Sequence, residues 1–244
     1  MSDFKVGTAG WSIPRAAAAR FDSAGTHLQR YSVSLCCTEI NSSFYRPHAA
    51  GTYAKWRDST PPDFRFAVKV PRTITHELKL HDAREPLVAF LAQTGGLSEK
   101  RGPILVQLPP SLSFDAMVVT SFLELVRSLY DGPIVVEPRH PTWFEPPVEL
   151  LFEQYRIARA AADPPTVPAA LRPAGWRRLA YFRLHGSPRK YWSRYDEQYI
   201  ATLAATARTI SSAEEVWCIF DNTASGAAIE NAWDLRQLLN LRWS

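Results

Sequence analysis

The stretch "IVVEPRHPTWF" (residues 134–144) places charged residues directly after a short β-branched run. Residues 134–136 are too apolar for a strand with one face in water, so we expect a strand that is covered on both faces. Glu137, Arg139 and His140 follow almost at once. A strand that only leads into a surface loop needs no such crowding of charge. The stretch therefore predicts a parallel strand whose carboxyl end lies at a working rim.

Similar short runs recur along the chain, with helix-like segments between them, as in a parallel sheet built from β-α units. Eight such units are enough to close a (β/α)8 barrel of the TIM type, in which the carboxyl ends of the strands carry the chemistry. The strand candidates are residues 4–10, 36–41, 64–70, 103–109, 133–138, 156–163, 179–186 and 216–222.

The helix candidates lie between these strands, and the segment 114–129 has the clearest helical periodicity, with Ser113 expected as its N-cap. Residues 164–176, "PPTVPAALRPAGW", hold too many prolines for a regular helix, which predicts an irregular sixth crossover. With no linker or low-complexity tract, a single domain over residues 1–244 is the simplest organisation. The helix candidates are residues 15–32, 48–58, 84–94, 114–129, 145–153, 196–210 and 226–240.

The composition is that of an ordinary globular protein, with 46% hydrophobic and 21% charged residues among 244. A net charge of +4 fits either a moderately basic enzyme or a protein with an anionic small-molecule or nucleic-acid partner. It identifies no protein partner. The three cysteines form neither a disulfide framework nor a metal-binding pattern, so we expect buried residues in a reducing compartment. No leader-like or membrane-spanning stretch stands out, and we expect a cytoplasmic protein with no membrane association.

Polar residues occur at the ends of nearly all the predicted strands and in the loops that follow. Two interpretations fit: an ion-pair network that fills the barrel mouth, or a ligand pocket. We favour a pocket, because charges that converge on an apolar barrel are costly without a ligand or a complete network. The candidate site residues are Trp11, Glu39, Asn41, Tyr45, Lys69, Arg72, Gln107, Glu137, Arg139, His140, Arg183, His185 and Asn222.

Within this set, His185 is the best candidate for a general acid or base, because it follows a strand and precedes Gly186. The alternative is a buried histidine bonded to an acid such as Glu137. Glu39 and Glu137 are candidate catalytic carboxylates. The expected phosphate-binding groups are Lys69, Arg72, Arg139 and Arg183, and the remaining substrate-binding candidates are Trp11, Asn41, Tyr45, Gln107, His140 and Asn222.

Motifs for a cofactor or metal are missing from the sequence. There is no GxSxG turn, no GxxxxGK[ST] loop and no GxGxxG after a strand. Four histidines and several acids supply enough ligand types for a divalent metal, but none has a spacing such as HExxH. The sequence therefore assigns no metal ligand and leaves the cofactor unknown.

Seven blocks of sequence stand out along the chain: "GTAGW" (7–11), "TEINSSFYR" (38–46), "FRFAVKVPRTITH" (64–76), "GPILVQLPPSL" (102–112), "VVEPRHPTWF" (135–144), "FRLHGS" (182–187) and "IFDNTASGAAIENA" (219–232). Together, these blocks resemble the YecE-like family, a group of unknown function. The resemblance implies a TIM-barrel-like fold and supplies neither an activity nor catalytic residues. Pro138 departs from the pattern of the family, which has an aromatic residue between the glutamate and the arginine.

Three functions remain open at this point. The first is an enzyme that acts on a phosphate-bearing substrate, such as a phosphoester hydrolase that cleaves a nucleic-acid phosphodiester. The second is a sugar-type isomerase or lyase that uses the same acid and base groups without phosphate. The third is a non-catalytic protein that binds a metabolite or nucleic acid. The sequence alone does not decide whether the protein is an enzyme.

Overall fold

Strands and helices alternate along the computed structural model, which describes residues 2–241. Each of the eight predicted strands is present, within a few residues of the expected bounds. The strands are β1 (Asp3–Ala9), β2 (Cys37–Ile40), β3 (Arg65–Lys69), β4 (Arg101–Gln107), β5 (Ile134–Glu137), β6 (Ile157–Arg159), β7 (Ala161–Asp163), β8 (Ala174–Gly175), β9 (Leu179–Leu184) and β10 (Glu215–Phe220).

These strands form one sheet in the order β7-β9-β10-β1-β2-β3-β4-β5-β6-β8, and every neighbouring pair is parallel except β6 with β8. The predicted sixth strand is one extended segment, residues 157–163, whose first half pairs with β5 and whose second half pairs with β9. At its centre, the N–H of Ala160 donates to the carbonyl of Val136 over 2.9 Å. This segment brings the two ends of the sheet together, so the sheet is a nearly closed barrel, as predicted.

Helices cover the outside of the barrel, and most lie where the sequence predicts them. Between residues 2 and 241, none is both long and apolar enough to cross a membrane. The α-helices are α1 (His27–Ser32), α2 (Ser42–Tyr45), α3 (Ala50–Asp58), α4 (Arg84–Thr94), α5 (Ala116–Leu129), α6 (Pro146–Gln154), α7 (Glu197–Thr209) and α8 (Ala227–Leu238). Shorter 3-10 helices occupy Arg15–Arg20, Gly95–Lys100, Pro141–Phe144 and Pro168–Leu171, and a π-helical turn occupies Thr73–Glu77.

The prediction of one helix over residues 15–32 is wrong. A 3-10 helix ends at Arg20, and α1 starts only at His27. Gly25 between them has a φ of 94°, which ends any right-handed helix. Thr26 then starts α1 with a capping box in which its hydroxyl accepts from the N–H of Gln29.

The expected N-cap of α5 is also wrong. Asp115, not Ser113, has the extended backbone of an N-cap, and its carboxylate accepts from the N–H groups of Met117 and Val118. An ionised carboxylate satisfies two free N–H groups and also favours the positive end of the helix dipole. The capping residue therefore lies two positions later than the sequence predicts.

The sixth crossover is irregular, as the prolines predict. Residues 164–178, all within the described chain, contain a 3-10 helix and the two-residue strand β8 where a regular barrel has a long helix. The gap leaves a groove of about 1310 Å³ on the outside of the barrel, between α6 and α7. We call it the outer groove; its walls include Leu150, Leu171, Phe182 and Leu203.

The strands present apolar side chains on both faces, which explains their nearly continuous apolar sequence. Outward residues such as Val68, Val106 and Phe182 pack under the helices in the main core. Inward residues form a second, smaller core inside the barrel, with Ala67 and Leu105 among its members. The three cysteines are buried and free, as expected.

Candidate functional site at the barrel mouth

Toward the carboxyl ends of the strands, just beyond the smaller core, the inward-facing residues change from apolar to polar. Since side chains two residues apart share a face of a strand, each polar residue lies directly above an apolar one. This arrangement forms a buried polar layer at the carboxyl end of the barrel, and His185, the first residue after β9, lies two residues beyond Arg183. The pairs are Cys37 and Glu39, Ala67 and Lys69, Leu105 and Gln107, Val135 and Glu137, Tyr181 and Arg183, and Ile219 and Asp221.

Arg183 is the centre of this polar layer and is completely buried. Its Nε and Nη2 donate to the two carboxylate oxygens of Glu39 over 3.0 and 2.6 Å. Nη1 donates to Glu137 Oε2 over 2.6 Å, and Nη2 also reaches Asp221 Oδ2 over 3.2 Å. These four bonds engage most of the five N–H donors of a guanidinium. Arg183 therefore holds three carboxylates from β2, β5 and β10 in place.

Glu137 is the second junction of the network. Its Oε2 also accepts from Gln107 over 3.1 Å, and its Oε1 accepts from Arg139 over 3.2 Å. Burial by itself would raise the pKa of Glu137, but the charges of Arg183 and Arg139, with a contribution from His185, hold it well below its usual range. Glu137 is therefore ionised at neutral pH, although it is 1% exposed.

His185 lies between two carboxylates. Its Nε2 is 3.0 Å from Glu137 Oε1, and its Nδ1 is 3.0 Å from Asp221 Oδ2. Because ionised carboxylates only accept hydrogen bonds, both contacts are satisfied at once only by the doubly protonated ring. The next residue, Gly186, has a φ of 89°. That left-handed conformation favours glycine, and it turns the chain into the loop that covers the histidine.

Tyr191 covers His185 from this loop. The two rings meet edge to face with centroids 5.5 Å apart, and the Tyr191 hydroxyl accepts from Arg139 over 3.5 Å. Tyr191 is itself 41% exposed. The imidazole is therefore shielded from solvent by one partly exposed aromatic ring and not by the barrel core.

Lys69 differs from the rest of the polar layer because its charge has no counter-ion. It is 7% exposed, yet within residues 2–241 its Nζ has no hydrogen-bond acceptor and no carboxylate within salt-bridge distance. The Nζ instead lies 4.0 Å from the centre of the Phe44 ring. Burial, assisted by the charge of Arg183, lowers the pKa of Lys69 to about 8, against the pull of Glu39, Glu137 and Asp221.

Other cations surround Lys69 at the mouth. Burial and then the charges of Lys69, Arg72 and Arg139 lower the pKa of His76, so these four side chains share one electrostatic neighbourhood. His76 uses only Nδ1 in a bond, to Thr75 over 2.8 Å. Arg72 is half exposed and pairs with Glu77 over 3.1 Å. We call Lys69, Arg72 and Arg139 the mouth cations; His76, with its lowered pKa, lies among them as a neutral ring.

The remaining candidates lie around the edge of the mouth or away from the network. Trp11 packs edge to face on Trp56, and Tyr45 is 76% exposed beside Phe44. His140 caps the 3-10 helix that follows β5, through its contact with Thr142.

Two asparagines among the candidates carry buried oxygens with no donor in the described chain. They are Asn41, which follows β2, and Asn222, which follows β10. The amide of Asn222 donates to Ser193 and Asn231, so this residue anchors the loop after β9. Asn41 Oδ1 is free to accept a bond at the mouth.

Four residues that contribute to the site are not among the candidates predicted from the sequence: Tyr181, Asp221, Tyr191 and His76. Tyr181 donates to Glu39 over 2.8 Å, and the alternation of residues along β9 would have placed it on the same face as Arg183. Asp221 was visible as the polar end of the last strand. Tyr191 and His76 lie in loops, where the sequence has no periodic signal.

Across residues 2–241, no three or more His, Cys, Asp or Glu side chains are grouped in a way that could hold a metal ion. The three carboxylates of the polar layer face the guanidinium of Arg183, which takes the place that a cation would have among them. Arg183 and its three carboxylates therefore stabilise one another without a further ligand.

The fold and the site define a class of protein: a nearly closed (β/α)8-like barrel with a buried ionic layer at the carboxyl ends of its strands. The chain belongs to the family described as "Protein of unknown function DUF72", which it matches over residues 5–244. The YecE-like resemblance of the sequence blocks is thereby confirmed.

Proteins of known sequence and structure agree with this assignment. The chain is 24% identical to the UPF0759 protein YunF of Bacillus subtilis, over 98% of this chain and 95% of that protein. It is 29% identical to the UPF0759 protein YecE of Escherichia coli K12, over 49% of this chain and 43% of that protein.

Solved structures with the same fold include a DUF72 family protein of Enterococcus faecalis V583, with a TM-score of 0.83 and 24% identity. That alignment covers 99% of this chain and 97% of the other. A DUF72 family protein of Thermotoga maritima has a TM-score of 0.81 and 25% identity, with coverage of 98% and 100%. None of these descriptions states an activity.

Proposed function

We propose that the barrel mouth binds a phosphate-bearing ligand. The observation that carries the proposal is Lys69, a buried ammonium without a counter-ion among the described residues. Burying most of a charged side chain without a partner of opposite charge costs free energy, and a bound anion offsets that cost by neutralising the charge. The other mouth cations add to the positive potential. A phosphate group has enough charge and enough acceptor oxygens to satisfy several of them at once.

The role of each candidate residue depends on whether its hydrogen-bonding groups are already bonded within the protein or remain available to a ligand. Lys69, Arg139 and the free Nε2 of His76 face the ligand, and Asn41 Oδ1 accepts from one of its hydroxyl groups. Arg183 supports the site rather than the ligand, because four of its bonds go to carboxylates. It fixes Glu39 and Glu137 in position and keeps Glu137 ionised, so that both carboxylates lie where they can act as acid–base groups beside His185.

A phosphodiester in single-stranded nucleic acid is the form of this ligand that the exposed aromatic residues favour. Tyr45, Tyr191 and Trp192 are 76%, 41% and 47% exposed around the mouth loops. The guanidinium of Arg189 stacks over the Trp192 ring at 4.7 Å. Exposed rings with nearby cations stack bases and hold the backbone between them.

Calorimetry at low ionic strength tests the proposal with inorganic phosphate, glycerol 3-phosphate and a short single-stranded oligonucleotide. We expect binding that weakens as salt is added. Lys69→Met should weaken it by at least about tenfold, equivalent to about 1.4 kcal/mol. Lys55→Met, at an exposed lysine of α3, is the matched control and should bind like the wild type. Absence of binding by the wild type, or equal binding by Lys69→Met, would overturn the proposal.

A further inference from the structure

Lys69 has a second property that phosphate binding does not require. A lysine that serves only as a positive charge is best kept ionised by a nearby carboxylate. Lys69 has none within salt-bridge distance in the described chain, and its Nζ lies against the face of Phe44. The other five residues of the polar layer bond to one another instead. The network is complete without Lys69, and the amine is left free.

We propose that Lys69 is an amine nucleophile that forms an imine with the carbonyl carbon of an aldehyde or ketone bound at the mouth. The lysine ends β3 at the carboxyl end of the barrel, where a ligand reaches the strand ends. A desolvated lysine beside other cations is a recurring form of this nucleophile. Both conditions are met, since Lys69 is buried and the guanidinium of Arg183 in the same polar layer is close enough to disfavour its charged form.

The protonation of the lysine agrees with this role. Burial lowers the pKa of Lys69 from 10.5 to about 8. Near pH 8 about half of the Lys69 side chains are neutral amines, whereas an exposed lysine is neutral in only about one molecule in 300. Lys69 is therefore available for attack at a pH where a lysine with the ordinary pKa is charged.

The step requires no oxidant and no second substrate. The lone pair of Nζ forms a bond to the carbonyl carbon, and the π electrons of the carbonyl move to its oxygen. A proton passes from nitrogen to that oxygen to give a carbinolamine. The hydroxyl then takes up one proton from solvent and leaves as water, and the nitrogen lone pair forms the double bond of a protonated imine. One water leaves and one proton is consumed.

The class of substrate rests on the proposed function: a carbonyl compound that carries a phosphate group. Arg139 and Arg72 hold the phosphate while the imine forms, with the carbonyl carbon at Lys69 Nζ. The protonated fraction of Lys69 adds to the attraction for phosphate, and the neutral fraction supplies the reacting nitrogen.

Borohydride trapping tests the inference. Hydride from sodium borohydride adds to the imine carbon and converts a reversible adduct into a stable secondary amine, which peptide mass spectrometry locates. Glyceraldehyde 3-phosphate is the probe, and unphosphorylated glyceraldehyde is its comparison. We expect labelling at Lys69 that exceeds labelling at the exposed Lys55 by up to about 100-fold near pH 8. Lys69→Arg keeps the charge but should lose the label, and Lys55→Arg should retain it.

The outcomes separate the imine from the proposed function. Labelling spread over exposed lysines, with none enriched at Lys69, overturns the imine. If glycerol 3-phosphate still binds in that case, the phosphate site stands alone. Equal labelling of Lys69 by both aldehydes, with no binding of glycerol 3-phosphate, supports the imine and overturns the phosphate site. Should Lys69→Arg fail to fold, competition of wild-type labelling by glycerol 3-phosphate still reports whether the two ligands share one site.

Discussion

Lys69 and Arg183 carry two buried positive charges in the same layer of the barrel, with opposite surroundings. Arg183 has three carboxylates as partners, which outweigh the effect of burial and raise its pKa. Lys69 has only the face of an aromatic ring, and its pKa falls to about 8. An arginine with complete bonding stabilises the site, whereas an unpaired lysine destabilises it. At the residue scale, this difference distinguishes a supporting group from a reactive one.

Lys69→Met should make the folded protein more stable at neutral pH. The folded state disfavours the protonated lysine, so between pH 8 and 10.5 the unfolded chain binds more protons, and wild-type stability rises with pH over that window. Below it, the full penalty of about 3 kcal/mol remains, and the methionine removes it. Urea unfolding from about pH 7 to about pH 10 measures the difference between the two proteins. If the difference in free energy of unfolding between the two proteins did not shrink toward high pH, the folded state would not disfavour the charged form of Lys69.

His185→Asn should lower the free energy of unfolding by about 3 kcal/mol, because the shorter amide cannot reach both Glu137 and Asp221. Thermal unfolding measures this structural part. Ligand binding and turnover measure the functional part, since an amide cannot transfer a proton at neutral pH. If the variant loses stability but keeps both ligand binding and any turnover, His185 is a structural group and not a catalytic one.

At the element scale, helix α5 shows how a local contact sets a boundary. The sequence contains two polar residues that could cap it, and both are compatible with the apolar periodicity that follows. Asp115 caps the helix because residues 113 and 114 are still part of the incoming loop, where the N–H of Phe114 donates to Thr142. The contact across 28 residues decides where the helix begins.

Asp115→Ala should therefore destabilise the protein by about 1 kcal/mol, the usual effect of removing an N-cap side chain. Ser113→Ala is the matched control, because Ser113 is an equally exposed residue of the same loop and should change stability by less than about 0.5 kcal/mol. Chemical denaturation compares both variants with the wild type. If Ser113→Ala destabilised the protein more than Asp115→Ala, Ser113 would be the capping residue.

At the scale of the whole molecule, the polar layer links the strands around the barrel into one ionic network. Glu39 on β2, Glu137 on β5 and Asp221 on β10 all bond to Arg183 on β9. Strands far apart in the sequence are thus tied at their carboxyl ends by charge as well as by the sheet. The network should lose its strength when its carboxylates are protonated.

We expect acid to destabilise the protein. Burial opposes the ionised forms of Glu137 and Asp221, but their cationic partners outweigh it, so both pKa values lie below the usual range. The stability from these groups is present above about pH 4.5, the ordinary value for a glutamate, and is lost as pH falls through the lowered values. Unfolding measured from about pH 7 to about pH 3 should show this loss. Asp221→Asn should remove part of the pH dependence; an unchanged profile would contradict the network.

Short β-branched runs separated by helix-like segments were enough to predict the eight strands and the barrel, and the polar residues at the ends of these runs predicted which residues lie at its mouth. This was possible because side-chain direction along a strand depends only on position, and a strand buried on both faces must be apolar until it ends. The same local reasoning found the irregular sixth crossover, since proline excludes a regular helix wherever it occurs.

Only the tertiary structure decided which charges neutralise one another. Arg183 and Glu39 are 144 residues apart in the chain, and no local pattern assigns them to each other or leaves Lys69 without a carboxylate. The closure of the barrel likewise depends on one segment that pairs with β5 and then with β9. Ion pairing depends on distances across the barrel, and these distances are fixed only when all strands have assembled.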